Sequence, residues 1–127
     1  MTSQINESPT ITEKSGAKVE DVRGLLMKYD TSGNVIPAST AGELVIGPAI
    51  ITNNENIEVG TDVDIQIKEI GVVRAGATLK KGAELMADTN GKAIAATAGK
   101  FVIGMALEDA VDGQLIFCQI MKCYKSA

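Results

Sequence analysis

The sequence contains no histidine and no tryptophan, and its aromatic residues are two Tyr and two Phe among 127 residues. Histidine is the commonest general base and the commonest transition-metal ligand, so its absence removes the usual catalytic triads and most metal sites. The scarcity of rings leaves few surfaces on which bases or sugars could stack. We therefore expect a protein that is not an enzyme and that holds no cofactor and no metal ion.

Basic clusters and long apolar runs are also missing. The net charge is −4, and no stripe of Lys or Arg is present to displace the counterions of a nucleic acid. No apolar run approaches the roughly 18 residues that a membrane span needs, and the N-terminus is polar rather than leader-like. We expect no nucleic-acid partner, no membrane, and a protein that is made in and stays in the cytosol of its cell of origin.

The two cysteines, Cys118 and Cys123, are too few for a disulfide scaffold. Their odd spacing puts them on opposite faces of a regular strand, so they could not share one metal ion. Both lie in the C-terminal apolar run, and we expect reduced, buried thiols.

A chain of this length is about one domain. Residues 1–20 have isolated apolar positions without a sustained period, which predicts a flexible N-terminal arm followed by a single β domain over 21–127. The stretch 19–27, "VEDVRGLLM", has apolar residues at helical spacing. Gly24 and the strand pattern that follows argue against a long helix there.

From Gly24 onward, short apolar segments alternate with Gly, Asn and Asp turns. Residues 61–68, "TDVDIQIK", alternate strictly, which is typical of a half-buried strand. Asn90-Gly91 predicts a hairpin with a tight primed turn. Residues 114–124, "QLIFCQIMKCY", have apolar side chains at both odd and even positions, so both faces of a strand there would be apolar. This predicts a strand that is covered on both faces or lies at a subunit contact.

The chain also repeats itself. "AGELVIGPA" at 41–49 matches "AGKFVIGMA" at 98–106, and the match extends over copies at about 24–68 and 82–122. Gly33 and Gly91 occupy equivalent turns, and Gly47 and Gly104 occupy equivalent bends. One copy is too small to fold alone, so the repeat predicts a mainly β fold, a small barrel or sandwich in which two copies related by an approximate twofold share a core.

Three groups of polar residues could carry chemistry. Lys92 follows the Asn-Gly turn at the position where lipoyl-type carrier domains present a lysine, but the flanking signature is missing, which favours an ordinary surface lysine. Asp62 and Asp64 share one strand face without the order of a calcium-binding loop, which favours a solvated acidic face. "GATLKKG" lacks the spacing of a phosphate-binding loop.

The C-terminal copy resembles the capsid decoration, or cement, proteins of tailed bacteriophages. That family's hallmark, "IG-x-A-x-E-x-A-x-x-G" before a closing apolar strand, falls on a set of six residues: Ile103, Gly104, Ala106, Glu108, Ala110 and Gly113. The N-terminal copy departs from it, with Pro48 in place of Met105 and a longer polar loop at 53–56.

The resemblance implies a protein that binds the outside of the expanded phage capsid, with the major capsid protein as its partner, and that stabilises the shell, commonly as a homo-trimer. It would be made in the host bacterial cytoplasm and end on the virion exterior. An extended "SPTIT" could add a strand to an exposed sheet edge, so we expect capsid contacts at Ile5, Pro9, Thr10 and Ile11. Two alternatives remain open: a carrier or ligand-binding β-barrel module, and another phage structural subunit from the tail or connector.

Overall fold

The computed structural model describes residues 8–127, which form ten strands and no helix. The prediction of a mainly β fold is therefore confirmed, and the sheets pack as a small sandwich. Within the same residues no helix is long and apolar enough to cross a membrane. The strands are β1 Thr10–Lys14, β2 Leu26–Tyr29, β3 Val35–Pro37, β4 Gly47–Pro48, β5 Asp62–Gln66, β6 Glu69–Arg74, β7 Glu84–Ala87, β8 Ala93–Ala95, β9 Phe101–Ala106 and β10 Leu115–Tyr124.

The ten strands are two copies of one five-stranded unit. In the first copy β1 pairs with β5 and β2 pairs with both β3 and β4, all antiparallel. In the second copy β6 pairs with β10 and β7 pairs with both β8 and β9 in the same way. Each copy is longer than the sequence predicts, which places the copies at about 24–68 and 82–122. Each opens with an additional strand, "TITEK" in one copy and "EIGVVR" in the other, and these two strands share no sequence.

The predicted arm is shorter than expected, because the fold already includes residues from Thr10 onward. Ile11 lies opposite Ile65 in the β1–β5 ladder, and Val19 is buried and exchanges backbone hydrogen bonds with Ile57. β1 closes an edge of β5 that would otherwise be open, which gives these residues a partner within the chain. The assignment of 10–20 to a flexible arm is therefore wrong, and residues 1–7 lie outside the described residues.

The Asn-Gly hairpin is built differently from the predicted primed turn. Its Gly91 has φ of 79°, whereas Asn90 has no positive φ, so the turn is not of the primed type. The carboxylate of Asp88 holds the loop instead, accepting hydrogen bonds from the N–H groups of Asn90 at 2.8 Å and Lys92 at 2.9 Å. The first copy repeats this arrangement around Asp30.

The two copies are arranged head to tail, not around a twofold. A Cβ added to Gly24 would lie 2.9 Å from the backbone nitrogen of Arg74, while its equivalent Gly82 has nothing within 4 Å. Gly91 lies against Pro37 of the first copy, while its equivalent Gly33 is open. A twofold would bury both members of each pair, because both copies would use the same surface. The predicted twofold is therefore wrong.

Head-to-tail packing joins the copies through one shared core. Leu26, Ala38 and Val45 of the first copy belong to the buried cluster built mainly by the second copy. At the far end of the second copy the position equivalent to Leu26 is Glu84, whose side chain is exposed and pairs with Lys125. A charged residue there gives this end of the second copy a polar surface, in contrast to the apolar surface that Leu26 contributes to the shared core.

Candidate docking surface

The strand β10 has one buried face and one exposed face. Ile116 and Cys118 point into the core, whereas Phe117 between them is 55% exposed. Of the two expectations for this strand, cover on both faces within the chain is ruled out by that exposure. The side that carries Phe117 lacks a partner among the described residues.

The exposed side continues onto β6 and forms what we call the apolar outer face: Ile70, Val72, Leu115 and Phe117. In the β6–β10 ladder Phe117 lies opposite Val72 and Leu115 lies opposite Arg74, so these side chains share one side of the sheet. Ile70 is 57% exposed. Ile51 borders a small cleft that Ile70 and Val72 also line, and it extends the apolar area toward the first copy.

The equivalent face of the first copy is polar. The matching ladder positions there are Thr10 and Thr12 on β1 and Asp62 and Asp64 on β5. Asp62 pairs with Lys14 at 2.6 Å, and Thr12 donates a hydrogen bond to Asp64 at 2.5 Å. The same fold is therefore built with a solvated face in one copy and an apolar face in the other. Folding does not require the apolar face, which points to a binding role.

The positive charge of Arg74, at one margin of the apolar outer face, is neutralised within the chain. Arg74 lies 2.9 Å from the carboxylate of Asp21 and donates a hydrogen bond to the carbonyl of Gly113. A hydrogen bond from Arg23, together with the charge of Arg74, lowers the pKa of Asp21. A partner that covers this part of the face therefore does not have to desolvate an unpaired guanidinium at Arg74.

Three of the residues predicted to contact a capsid, Pro9, Thr10 and Ile11, make contacts within the folded chain. Ile11 packs against the core of the first copy, and Thr10 lies opposite Gln66 in the ladder. Pro9 is exposed, and its carbonyl accepts a hydrogen bond from the N–H of Ile67. The strand addition expected of "SPTIT" thus takes place inside the chain, onto β5. Ile5 lies outside the described residues.

The four predicted structural glycines divide into two kinds. Gly33 and Gly91 have positive φ at the hairpin turns. Gly47 and Gly104 have no such φ. Instead, a Cβ on either would collide with a backbone carbonyl oxygen of the facing strand, that of Gln66 for Gly47 and that of Gln119 for Gly104.

The polar groups considered for chemistry lie in surface pairs. Lys92 Nζ is 3.8 Å from the carboxylate of Asp112, and Asp62 and Asp64 have the partners given above. Within residues 8–127 no three carboxylate, cysteine or histidine side chains gather as a metal site would require.

The two cysteines differ in environment. Cys118 is buried, and burial raises the pKa of its thiol to about 12. Cys123 is exposed, so the expectation of two buried thiols is wrong for this residue. A bulge in the β9–β10 pairing between Ile120 and Cys123 shifts the alternation of side chains along the strand.

We expect one thiol of the folded protein to react with an aromatic disulfide reagent at pH 8 and two to react after denaturation. Cys118 stays protonated and covered in the folded chain, whereas Cys123 is accessible. Cys123→Ser should abolish the fast reaction, and Cys118→Ala should leave it unchanged. Two fast thiols in the native protein would contradict this assignment.

Together these features define a duplicated β sandwich in which one copy carries an exposed apolar face and the other a polar one. No known family model matches the sequence, and none of the curated proteins compared with it is similar enough to count as a relative. Among solved structures, the fold is similar to the N base of the head fiber protein gp8.5 of bacteriophage phi29. The two share 23% identity with a TM-score of 0.68, over 88% of this chain and 92% of that one.

Proposed function

We propose that this protein is a non-enzymatic structural component of a tailed-phage virion. It binds the outer surface of the expanded capsid through the major capsid protein and stabilises the shell, as a homo-trimer. The observation that carries the proposal is the apolar outer face, which one copy has and the other lacks. The resemblance of residues 82–122 to decoration proteins and the fold of a phage head fiber base both support it.

The apolar outer face has the composition of an interface core. Its exposed side chains are aliphatic and aromatic, and Arg74 beside them is paired with Asp21. Full burial of such a side chain is worth about 1.5–3 kcal/mol relative to exposure, so a few residues suffice for a specific contact. Because the face is on a rigid ladder, little conformational entropy is lost on docking.

A second candidate function is a head fiber base, since that is what the similar solved structure is. A fiber base and a decoration protein would both lie on the capsid, and they differ in whether a further fiber projects from them. Electron microscopy of particles carrying this protein distinguishes the two.

We expect the double variant Ile70→Ser, Phe117→Ser to bind expanded capsids on the order of tenfold more weakly than the natural protein. That factor corresponds to about 1.4 kcal/mol of lost contact free energy. The measurement is co-sedimentation with expanded capsids and, in parallel, with compact procapsids, to which we expect no binding of either protein.

The matched control is Thr10→Ser, Asp64→Ser, which changes the equivalent positions on the first copy. Its capsid affinity should equal that of the natural protein. If the apolar variant binds as tightly as the control while both keep the natural melting temperature, the apolar outer face is not the capsid contact.

A further inference from the structure

The hairpin tip between β7 and β8 contains Asn90-Gly91, the one place in the chain where an asparagine is followed by glycine. The Asn90 side chain is exposed at this tip, whereas Gly91 is buried. Glycine has no Cβ, so nothing on Gly91 hinders the approach of its backbone nitrogen to the side-chain amide that precedes it. That approach is the first step of asparagine deamidation.

The loop is held mainly by the carboxylate of Asp88. Its Oδ1 accepts hydrogen bonds from the N–H of Asn90 at 2.8 Å and from that of Lys92 at 2.9 Å. The Gly91 N–H lies 3.3 Å from the Asp88 carbonyl oxygen, a long distance for such a bond. The nitrogen that would react is therefore weakly held. The backbone of Asn90 must still rotate to bring the side chain onto it, and the two bonds to Asp88 restrain that rotation.

Other asparagines of the described chain are placed less favourably for this reaction. Asn34 is followed by the buried, β-branched Val35. The Asn53 side-chain amide is engaged in three hydrogen bonds, two of them to the backbone of Asp64. The turn of the first copy has Ser32 where the second has an asparagine, although Asp30 holds it in the same way. The duplication thus supplies a matching loop without the reactive pair.

Gly91 also belongs to the contact between the two copies. Its carbonyl oxygen accepts a hydrogen bond of 2.7 Å from the N–H of Leu26. A Cβ added to Gly91 would lie 3.2 Å from the Pro37 side chain, which shows how closely the turn approaches the first copy. A change in backbone length at Asn90 would therefore displace a group that the first copy binds.

We propose that Asn90 deamidates in the folded protein at a rate set by opening of the Asp88 loop. The isoaspartyl product then loosens the contact between the two copies, because it inserts one methylene group into the backbone next to Gly91. The inference goes beyond the proposed function and does not depend on it, since both the reaction and its effect concern the free protein.

The reaction needs only water. The Gly91 nitrogen loses its proton and attacks Cγ of Asn90, so that a new N–C bond closes a five-membered imide. The bond between Cγ and the side-chain nitrogen breaks, and ammonia leaves with a proton. Water then opens the imide at one of its two carbonyl groups and leaves either aspartate or isoaspartate, with no oxidation or reduction. The rate rises with pH, because the attacking nitrogen must be deprotonated.

The test is incubation of the full-length protein at pH 8, well below its melting temperature, with peptide mapping by mass spectrometry over time. We expect conversion at Asn90, about tenfold to a thousandfold more slowly than in the urea-denatured chain, because the loop must open first. Asp88→Ala should react at least about fivefold faster than the natural protein, since it loses both hydrogen bonds. Asp88→Asn keeps an acceptor oxygen and should react more slowly than Asp88→Ala.

The matched control is Asp30→Ala, which removes the equivalent carboxylate from the first copy and should leave the rate at Asn90 unchanged. Equal rates in Asp30→Ala and Asp88→Ala, with both variants folded by circular dichroism, would overturn the role of the Asp88 loop. A natural protein that reacts more than about a thousandfold more slowly than the denatured chain would overturn the site itself, and this comparison needs no variant.

The effect on the contact between the copies is measured on the isoaspartyl form, separated by chromatography. We expect it to melt at a lower temperature than Asn90→Asp, which carries the same charge on a backbone of normal length. Equal melting temperatures would exclude a loosened contact.

Discussion

Replacing Gly104 with valine is expected to cost about 3 kcal/mol or more of unfolding free energy, with a correspondingly lower midpoint in urea. A Cβ at this position would overlap the backbone carbonyl oxygen of Gln119 on β10 and lie 2.9 Å from the sulfur of Cys118. The carbonyl belongs to a paired strand and cannot rotate away, so β9 and β10 must separate to admit the side chain. Urea denaturation followed by circular dichroism measures the change.

Gly33→Ala is the informative comparison. Gly33 has φ of 83° and nothing within 4 Å of an added Cβ, so its substitution carries only the strain of the left-handed conformation, about 1–2 kcal/mol. The expected order is therefore a larger loss for Gly104→Val than for Gly33→Ala. A Gly104→Val variant as stable as the natural protein would show that β9 and β10 are not held at this close approach.

Leu26→Glu is expected to have a comparably large effect, a loss of more than about 4 kcal/mol at neutral pH. Leu26 is fully buried and belongs to the cluster that joins the two copies. A carboxylate at this position would be buried among apolar side chains, away from water and from any cation. The substitution would also remove the leucine side chain from the shared core. The substitution copies what the chain itself has at the equivalent position, Glu84, where the end of the molecule is exposed.

Val59→Glu is the matched control, because Val59 is also in the first copy but is 67% exposed. It should change the unfolding free energy by no more than about 0.5 kcal/mol. If Leu26→Glu proved as mild as Val59→Glu, the two copies would not be joined through a common core.

Local patterns predicted the strands whose burial alternates. Val63 and Ile65 are buried on β5 and Asp62 and Asp64, which alternate with them, are exposed, as the "TDVDIQIK" alternation predicts. The repeat of Ala-Gly and Val-Ile-Gly was visible because both copies need the same turn and the same close approach at Gly47 and Gly104. In "QLIFCQIMKCY" apolar residues occur at both odd and even positions, which indicated that each face of β10 would need a covering surface.

Other elements had no local signal. β1 is a mostly polar strand, "TITEK", whose membership in the fold depends on pairing with β5, whose residues lie 48 to 56 positions away. β6 contains apolar residues, but its place in the sheet depends on pairing with β10, which lies 41 to 51 positions further along the chain. The half of the apolar outer face formed by Ile70 and Val72 depends on that pairing. The environment of Cys123 depends on a bulge that arises from the pairing of β9 with β10.

The sequence by itself determined the all-β class, the duplication and the close-approach glycines, because these follow from side-chain period and from residue types that backbone geometry demands. Only the tertiary structure decided that the copies stack head to tail and that one face of β6 and β10 stays apolar while its counterpart is polar. Each of these depends on which surfaces meet across the chain. Such contacts are set by long-range packing, and a local stretch of residues does not contain them.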